Sequence, residues 1–236
     1  MAGKFIRGAL IEFMPTFLIP LPNVIVFQFN PETIRHSWTQ AQAAGGGAAT
    51  AAAAGTAGSN PLAVQGMPGE AFSFTLAMDA GDQIAEGNPI AITTGIYSRL
   101  AALEMLLYPT GAGSLGGALV GSVSAALGGG GGDPGASVPA SVVPTVLFIW
   151  GPGRIVPVRV TGLSITEKLY DPFLNPTHAE AQIELKVLTP DELAVVTGPL
   201  AEVAKAAYKY SQGLRQVLAL ANLANAAESI IGMIPM

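Results

Sequence analysis

The chain has 236 residues, 11% of them charged and 50% hydrophobic, with a formal net charge of −5 and no cysteine. That length holds one large domain or two small ones and is enough for a real core. The composition excludes disulfides and thiolate metal sites, and without basic clusters nucleic acid is not an expected partner.

A soluble domain usually carries about a quarter charged residues. The low charge here predicts that neighbouring subunits cover much of the surface. Near the N-terminus, residues Phe5 to Phe13 read as a strand, followed by a proline-bent loop. Val24 to Phe29 is a short apolar strand, and Phe29-Asn30-Pro31 turns the chain, since the residue before proline is pushed out of the helical region. Thr33 to Thr39 resumes as a strand, with Ile34 and Trp38 as expected buried markers. Residues 41–68 are dominated by Ala, Gly and Thr and offer little area to bury.

Glu70 to Asp79 alternates, with Phe72, Phe74, Leu76 and Met78 on one face, as a half-buried strand does. Ala80 to Pro89 reads as a polar loop. Ile96, Leu100, Leu103 and Leu107 then fall on one stripe of a helix whose far face, Ser98, Ala101, Ala102 and Met105, is unusually uncharged. Residues 110–143 form a second insertion of Gly, Ala and Ser.

Val146 to Trp150 is an apolar strand that ends at Gly151. Val156, Val158 and Val160, then Leu163 and Ile165 after Gly162, make a long alternating segment. A proline-rich corner, Asp171-Pro172 and Asn175-Pro176, returns the chain. The next strand places Ala181, Ile183, Leu185 and Val187 against Glu180, Gln182, Glu184 and Lys186. Thr189, Pro190 and Glu192 form a capping box at the start of a short helix. A further helix opens at Pro199, with Leu200, Val203, Ala207, Leu214, Leu218 and Ala221 as its stripe and Glu202, Lys205 and Lys209 facing away. The residues from Ala219 onward are apolar nearly all round, which calls for burial against another subunit.

No motif points to a catalytic, cofactor or metal site. Gly111, Gly113 and Gly116 match the spacing of a dinucleotide loop but follow a helix and lead into a glycine tract, the wrong context for one. His36 and His178 lie on separate strands without ligand-spaced acids. A hydrolase would have to draw on the scattered Asp79, Asp82, Asp171 and His178. A competing expectation is a membrane anchor in residues 110–132, where Gly113, Gly117 and Gly121 recur every four residues. Glycine is too frequent there, and bulky apolar residues too sparse, for a good span.

Five segments recur in an order that resembles a known family. They are the strand ending in Phe29-Asn30-Pro31, the alternating strand Phe72 to Asp79, the helix near Ile96 to Leu107, the strand ending in Trp150-Gly151, and a hairpin through Asp171-Pro172 that ends near Thr189-Pro190. The set resembles the tube-type domain of contractile injection system baseplate proteins, which belong to phage-tail-like particles. The resemblance implies a mainly β (α+β) fold of two packed antiparallel sheets, a tail-tube-like barrel or sandwich with one packed helix. It also implies a hexameric ring at the junction of inner tube and spike or hub, in contact with other baseplate subunits, assembled in the cytoplasm. Its expected extent is residues 1–190, with a helical tail over residues 191–236 where many relatives carry a LysM-like module. Without that module, both tube-initiator and hub-adaptor roles stay open.

Overall fold

The computed structural model describes residues 5–14, 21–40, 64, 66–108, 143–196 and 201–232. The insertion segments 41–63 and 109–142, and with them the glycine motif and the anchor expected at 110–132, lie outside the described residues. The fold is mainly β with a few helices. Its strands are β1 (Ala9–Met14), β2 (Leu21–Val26), β3 (Ile34–Thr39), β4 (Gly69–Asp79), β5 (Val146–Ile149), β6 (Ile155–Tyr170) and β7 (Pro176–Val187). All pair antiparallel in one seven-stranded sheet of order β2-β1-β5-β6-β7-β4-β3. A second, separately packed sheet is not present among the described residues.

The alternation read from the sequence sets which face of this sheet is dry. Phe72, Phe74, Leu76 and Met78 of β4 and Ala181, Ile183, Leu185 and Val187 of β7 are buried together with Val156, Val158 and Val160 of β6. The phase change at Gly162 is a β-bulge: the register of β6 on β7 shifts between Val160 and Gly162. A bulge bends its strand and sharpens the local twist.

The sheet curls strongly. Strands β5 and β4 are separated by β6 and β7, which on a flat sheet would set them about 14 Å apart at ~4.8 Å per step. Yet the Phe148 ring of β5 lies 5.3 Å from Phe72 and 5.5 Å from Phe74 of β4, centroid to centroid. Phe27, just past β2 at the far end of the strand order, lies 5.6 Å from Phe74. Helix α3 (Tyr97–Met105) closes the apolar concavity with Leu100 and Leu103, flanked by Ile96 and Leu106. That is the predicted stripe, except that Leu106 is fully buried and Leu107 only partly so.

Several expectations need correction. The first strand begins at Ala9 rather than Phe5, and Phe5 is exposed. The second ends at Val26, not Phe29. Residues Ala80 to Pro89 are not a plain loop, because they hold helix α1 (Gly81–Ala85) and the start of α2 (Pro89–Thr94). The side chain of Asn88 caps α2 by accepting from the Ile90 and Ala91 N–H groups, and Pro89 occupies its first turn. Trp38 is not buried. It is 49% exposed, and the Arg215 guanidinium covers its ring at 4.8 Å.

The capping box is present at α4 (Pro190–Ala194): the Thr189 N–H donates to Glu192 Oε2 at 2.9 Å, and the Glu192 N–H donates to Thr189 Oγ1 at 3.4 Å. Helix α5 (Ala201–Gly232) buries Ala201, Ala204, Ala207 and Ser211, not the predicted Val203 and Leu218, which are exposed. Small side chains let the helix approach the sheet closely. Ala207 packs on Leu147, and Ser211 both donates to the Ile155 carbonyl (2.6 Å) and accepts from its N–H (3.3 Å).

Because Phe148 bridges strands that are not neighbours, Phe148→Ala should lower unfolding stability by about 3–5 kcal/mol. Urea denaturation followed by circular dichroism measures it. A loss under about 1 kcal/mol would mean that the curl does not depend on this ring.

Candidate functional site

The residues singled out from the sequence fall into two places. Around the start of β1, Asn30 acts as a substitute strand partner. A primary amide has both a donor and an acceptor, so it can replace a peptide group. Its Oδ1 accepts from the Gly8 N–H and its Nδ2 donates to the Ile6 carbonyl, both at 2.9 Å. The Phe27 N–H adds a bond to the Gly8 carbonyl at 2.9 Å. Pro31 has no N–H and cannot extend the ladder, and Phe29 is left exposed. The Trp150 ring packs against Phe27 (6.3 Å) and Phe148 (6.4 Å), while the Trp150 backbone N–H closes the turn onto the Arg154 carbonyl at 2.8 Å. Gly151 enters that turn with φ 70.

The two motifs meet at Gly8. A Cβ there would lie 2.7 Å from both the Phe27 and Trp150 rings, so only glycine fits. Gly8 and Phe27 were not singled out in the sequence, where Gly8 follows Arg7 with nothing to mark a close approach.

Asp171 and Pro172 stand elsewhere, at the tip of the β6–β7 hairpin. Asp171 organises that tip. Its carboxylate accepts from the Phe173 and Asn175 N–H groups and from Asn175 Nδ2, each at 2.8 Å. These bonds, the Asn175 side chain foremost, hold its carboxyl below the ordinary range. Two leucines flanking the turn adopt left-handed backbone, Leu169 at φ 52 and Leu174 at φ 64. Such a conformation costs a branched residue about 1–2 kcal/mol. The result is an apolar projection in water: Phe173 is 84% exposed and Leu174 78%, beside exposed Leu169 and Tyr170.

The hairpin stem is seated firmly. The Ile96 N–H donates to the Pro176 carbonyl at 2.9 Å, and Asn175 Nδ2 to the Thr93 carbonyl at 3.1 Å. At Gly95, φ 56, a Cβ would fall 2.2 Å from the Pro176 carbonyl oxygen. The apolar tip is therefore presented on a fixed support.

The titratable residues serve as pins. Asp79 and His178 face each other across β4 and β7, with His178 Nδ1 3.3 Å from Asp79 Oδ2. The Gly81 N–H, and after it His178, holds the Asp79 carboxyl below its usual value. Asp82 belongs to α1 and Asp171 to the hairpin tip, so the four residues a hydrolase would need are not gathered into one site.

Glu70 continues the inward face of β4 and is buried, an arrangement that demands a partner. It has two: Arg215 of α5, with Nη1 2.9 Å from Oε2, and His36 of β3, with Nε2 2.7 Å from Oε1. Burial lowers the His36 pKa, against the pull of Glu70. Among the described residues no group of three or more His, Asp or Glu is placed to hold a metal. Also among the described residues, no helix is long and apolar enough to cross a membrane.

Two strand edges complete the surface. Strand β3 pairs β4 from Gly69 to Phe74, so among the described residues Thr75 to Asp79 have no strand partner on that side. Among the described residues, strand β2 pairs with β1 alone. Between β2, α3 and β4 lies a cleft of about 370 Å³ lined by Val24, Val26, Leu76, Ala102 and Leu103, with Arg99 at its side donating to Gln28. No protein-family model matches the chain, and no curated protein matches it.

Replacing Asp171 with alanine should release the tip and leave the core intact. Limited chymotrypsin digestion is expected to cut at Phe173 or Leu174 at least about tenfold faster, with the thermal midpoint shifted by no more than about 4 °C. Unchanged cleavage would show that the turn holds without its carboxylate.

Proposed function

We propose that this chain is a structural, non-enzymatic subunit of a contractile injection particle, a ring component at the junction between inner tube and spike or hub. The observation that carries the proposal is the set of surfaces that one chain leaves in water. The rigid apolar tip Leu169–Leu174 projects from the sheet. Among the described residues, the outer side of β2 and that of Thr75–Met78 have no strand partner, while the Asp79 N–H is taken by Gln28 Oε1 at 3.0 Å. Lone proteins blunt such edges with charge or cover them, because open edges template aggregation. A closed ring of identical copies covers every edge with a neighbour.

The ordered motifs add support. Phe29-Asn30-Pro31 and Trp150-Gly151 fix the entry to β1 and the exit from β5, and Asp171-Pro172 shapes the tip. In the assembled ring, which we take to have six copies, the curled sheet becomes part of a tube-type β-barrel or sandwich completed by adjacent subunits. The polar outer face of β7, with Gln182 and Glu184 exposed, is available to a hydrated channel. The work is mechanical: the ring sets the symmetry of the tube and joins it to the spike. Inner tube, spike or hub and the other baseplate subunits are the partners, met during assembly in the cytoplasm.

Negative-stain imaging of particles from cells with and without the gene tests the role. Loss of the chain is expected to leave sheathless or detached baseplates and no attached tubes. Intact tubes still joined to baseplates would overturn it.

A further inference from the structure

Helix α5 carries two stripes. The inner one, Ala201, Ala204, Ala207 and Ser211, packs on the sheet, and Arg215 extends it to Glu70. On the other side, about 150° around the helix at 100° per residue, stand Val203, Ala206, Tyr210, Gly213, Val217 and Leu220. Their spacing is 3, 4, 3, 4 and 3, the alternation of the a and d positions of a coiled coil. In the sequence the spacing continues at Ala224, Ala227 and Ile231, which brings the pattern to four heptads. Along the stripe Val203, Tyr210, Val217 and Leu220 are exposed, Val217 to 61% and Leu220 to 69%, while Gly213 is half-buried and the Tyr210 hydroxyl donates to the Pro152 carbonyl at 2.9 Å.

From Gln216 to Leu223 every residue is exposed. The helix nevertheless continues to Gly232, about 25 Å beyond the Arg215 anchor at 1.5 Å per residue. An apolar helix of that length has marginal stability in water without cover.

We propose that this outer stripe is a seam along which α5 packs on α5 of a second copy of the chain, parallel and in register. Three features favour a like copy. A heptad stripe is self-complementary, since a and d residues of one helix fill the holes of another. No charged residue occurs between Arg215 and Glu228, so two copies meet without like-charge repulsion there. Where charges do flank the stripe, the parallel register sets Glu202 of one helix opposite Ala207 of the other, and Lys209 opposite Leu214, again without repulsion. In-register pairing also superposes the most exposed segment, Val217 to Leu223, on itself along its full length. The seam requires only self-association, so it stands or falls separately from the injection-particle role.

The chain has no cysteine, which makes single-cysteine crosslinking clean. In the purified full-length protein, Val203→Cys and Val217→Cys should each form a disulfide-linked dimer within minutes of mild oxidation, while Lys205→Cys, off the seam, should not. Adding Leu220→Glu to Val217→Cys should slow crosslinking at least about tenfold, the effect of about 1.4 kcal/mol of weakened association. Crosslinking at Val217 without Val203 overturns the parallel register. No crosslinking at either position, equal crosslinking at all three, or indifference to Leu220→Glu overturns the seam itself.

Discussion

The contact of Phe148 with Phe72 and Phe74 is the constraint on which the rest of the molecule depends. It forces strands that are three steps apart in one sheet to touch through their side chains. The sheet must therefore roll around its own apolar face, and β6, the longest strand, bends at its bulge near Gly162. The concavity needs a lid, and α3 supplies it with Leu100 and Leu103. The first strand needs a firm start, and Asn30 with Trp150 fixes Gly8 there. At the end of the sheet where β4 and β6 begin, the buried Glu70 reaches Arg215 and so ties α5 to the roll.

A curled sheet that satisfies its inner face does not thereby satisfy its edges. Among the described residues, strand β2 and the last residues of β4 keep one side without a strand partner, and the hairpin tip holds Phe173 and Leu174 in water on a backbone that Asp171 keeps strained. Fully burying a side chain of this size is worth about 1.5–3 kcal/mol. A handful of them in one patch is a strong driving force for association, and the 11% charge of the whole chain does little to oppose it. In the proposed role shape and function are joined in this way: the fold presents fixed surfaces, and the ring would cover them with copies and partners.

Much of the fold was legible because period-two alternation reports burial directly. The inward residues of β4 and β7, the stripe of α3 and the Thr189–Glu192 box follow from spacing alone. The curl was not legible. It arises from ring contacts between strands that are remote in sequence, and nothing local to Phe148 announces Phe72. Trp38 departs from the expected burial because its cover is an arginine from α5, about 180 residues away, and not an apolar core. The inner face of α5 departs from the hydrophobic pattern, which favours Val203 and Leu218, because the sheet selects small residues for close approach. Asn88 before Pro89 is a cap signal that does appear in the sequence, and it marks α2. The structural part of Phe29-Asn30-Pro31 proved to be the asparagine, through two hydrogen bonds that composition cannot reveal.

The central claim is that surfaces exposed on a single chain are covered by identical copies in a closed ring. Native mass spectrometry of the purified protein at micromolar concentration tests it most directly. The account predicts one discrete species of about six times the 24.0 kDa chain mass that persists on dilution. A folded species at 24.0 kDa across the whole concentration range would contradict it.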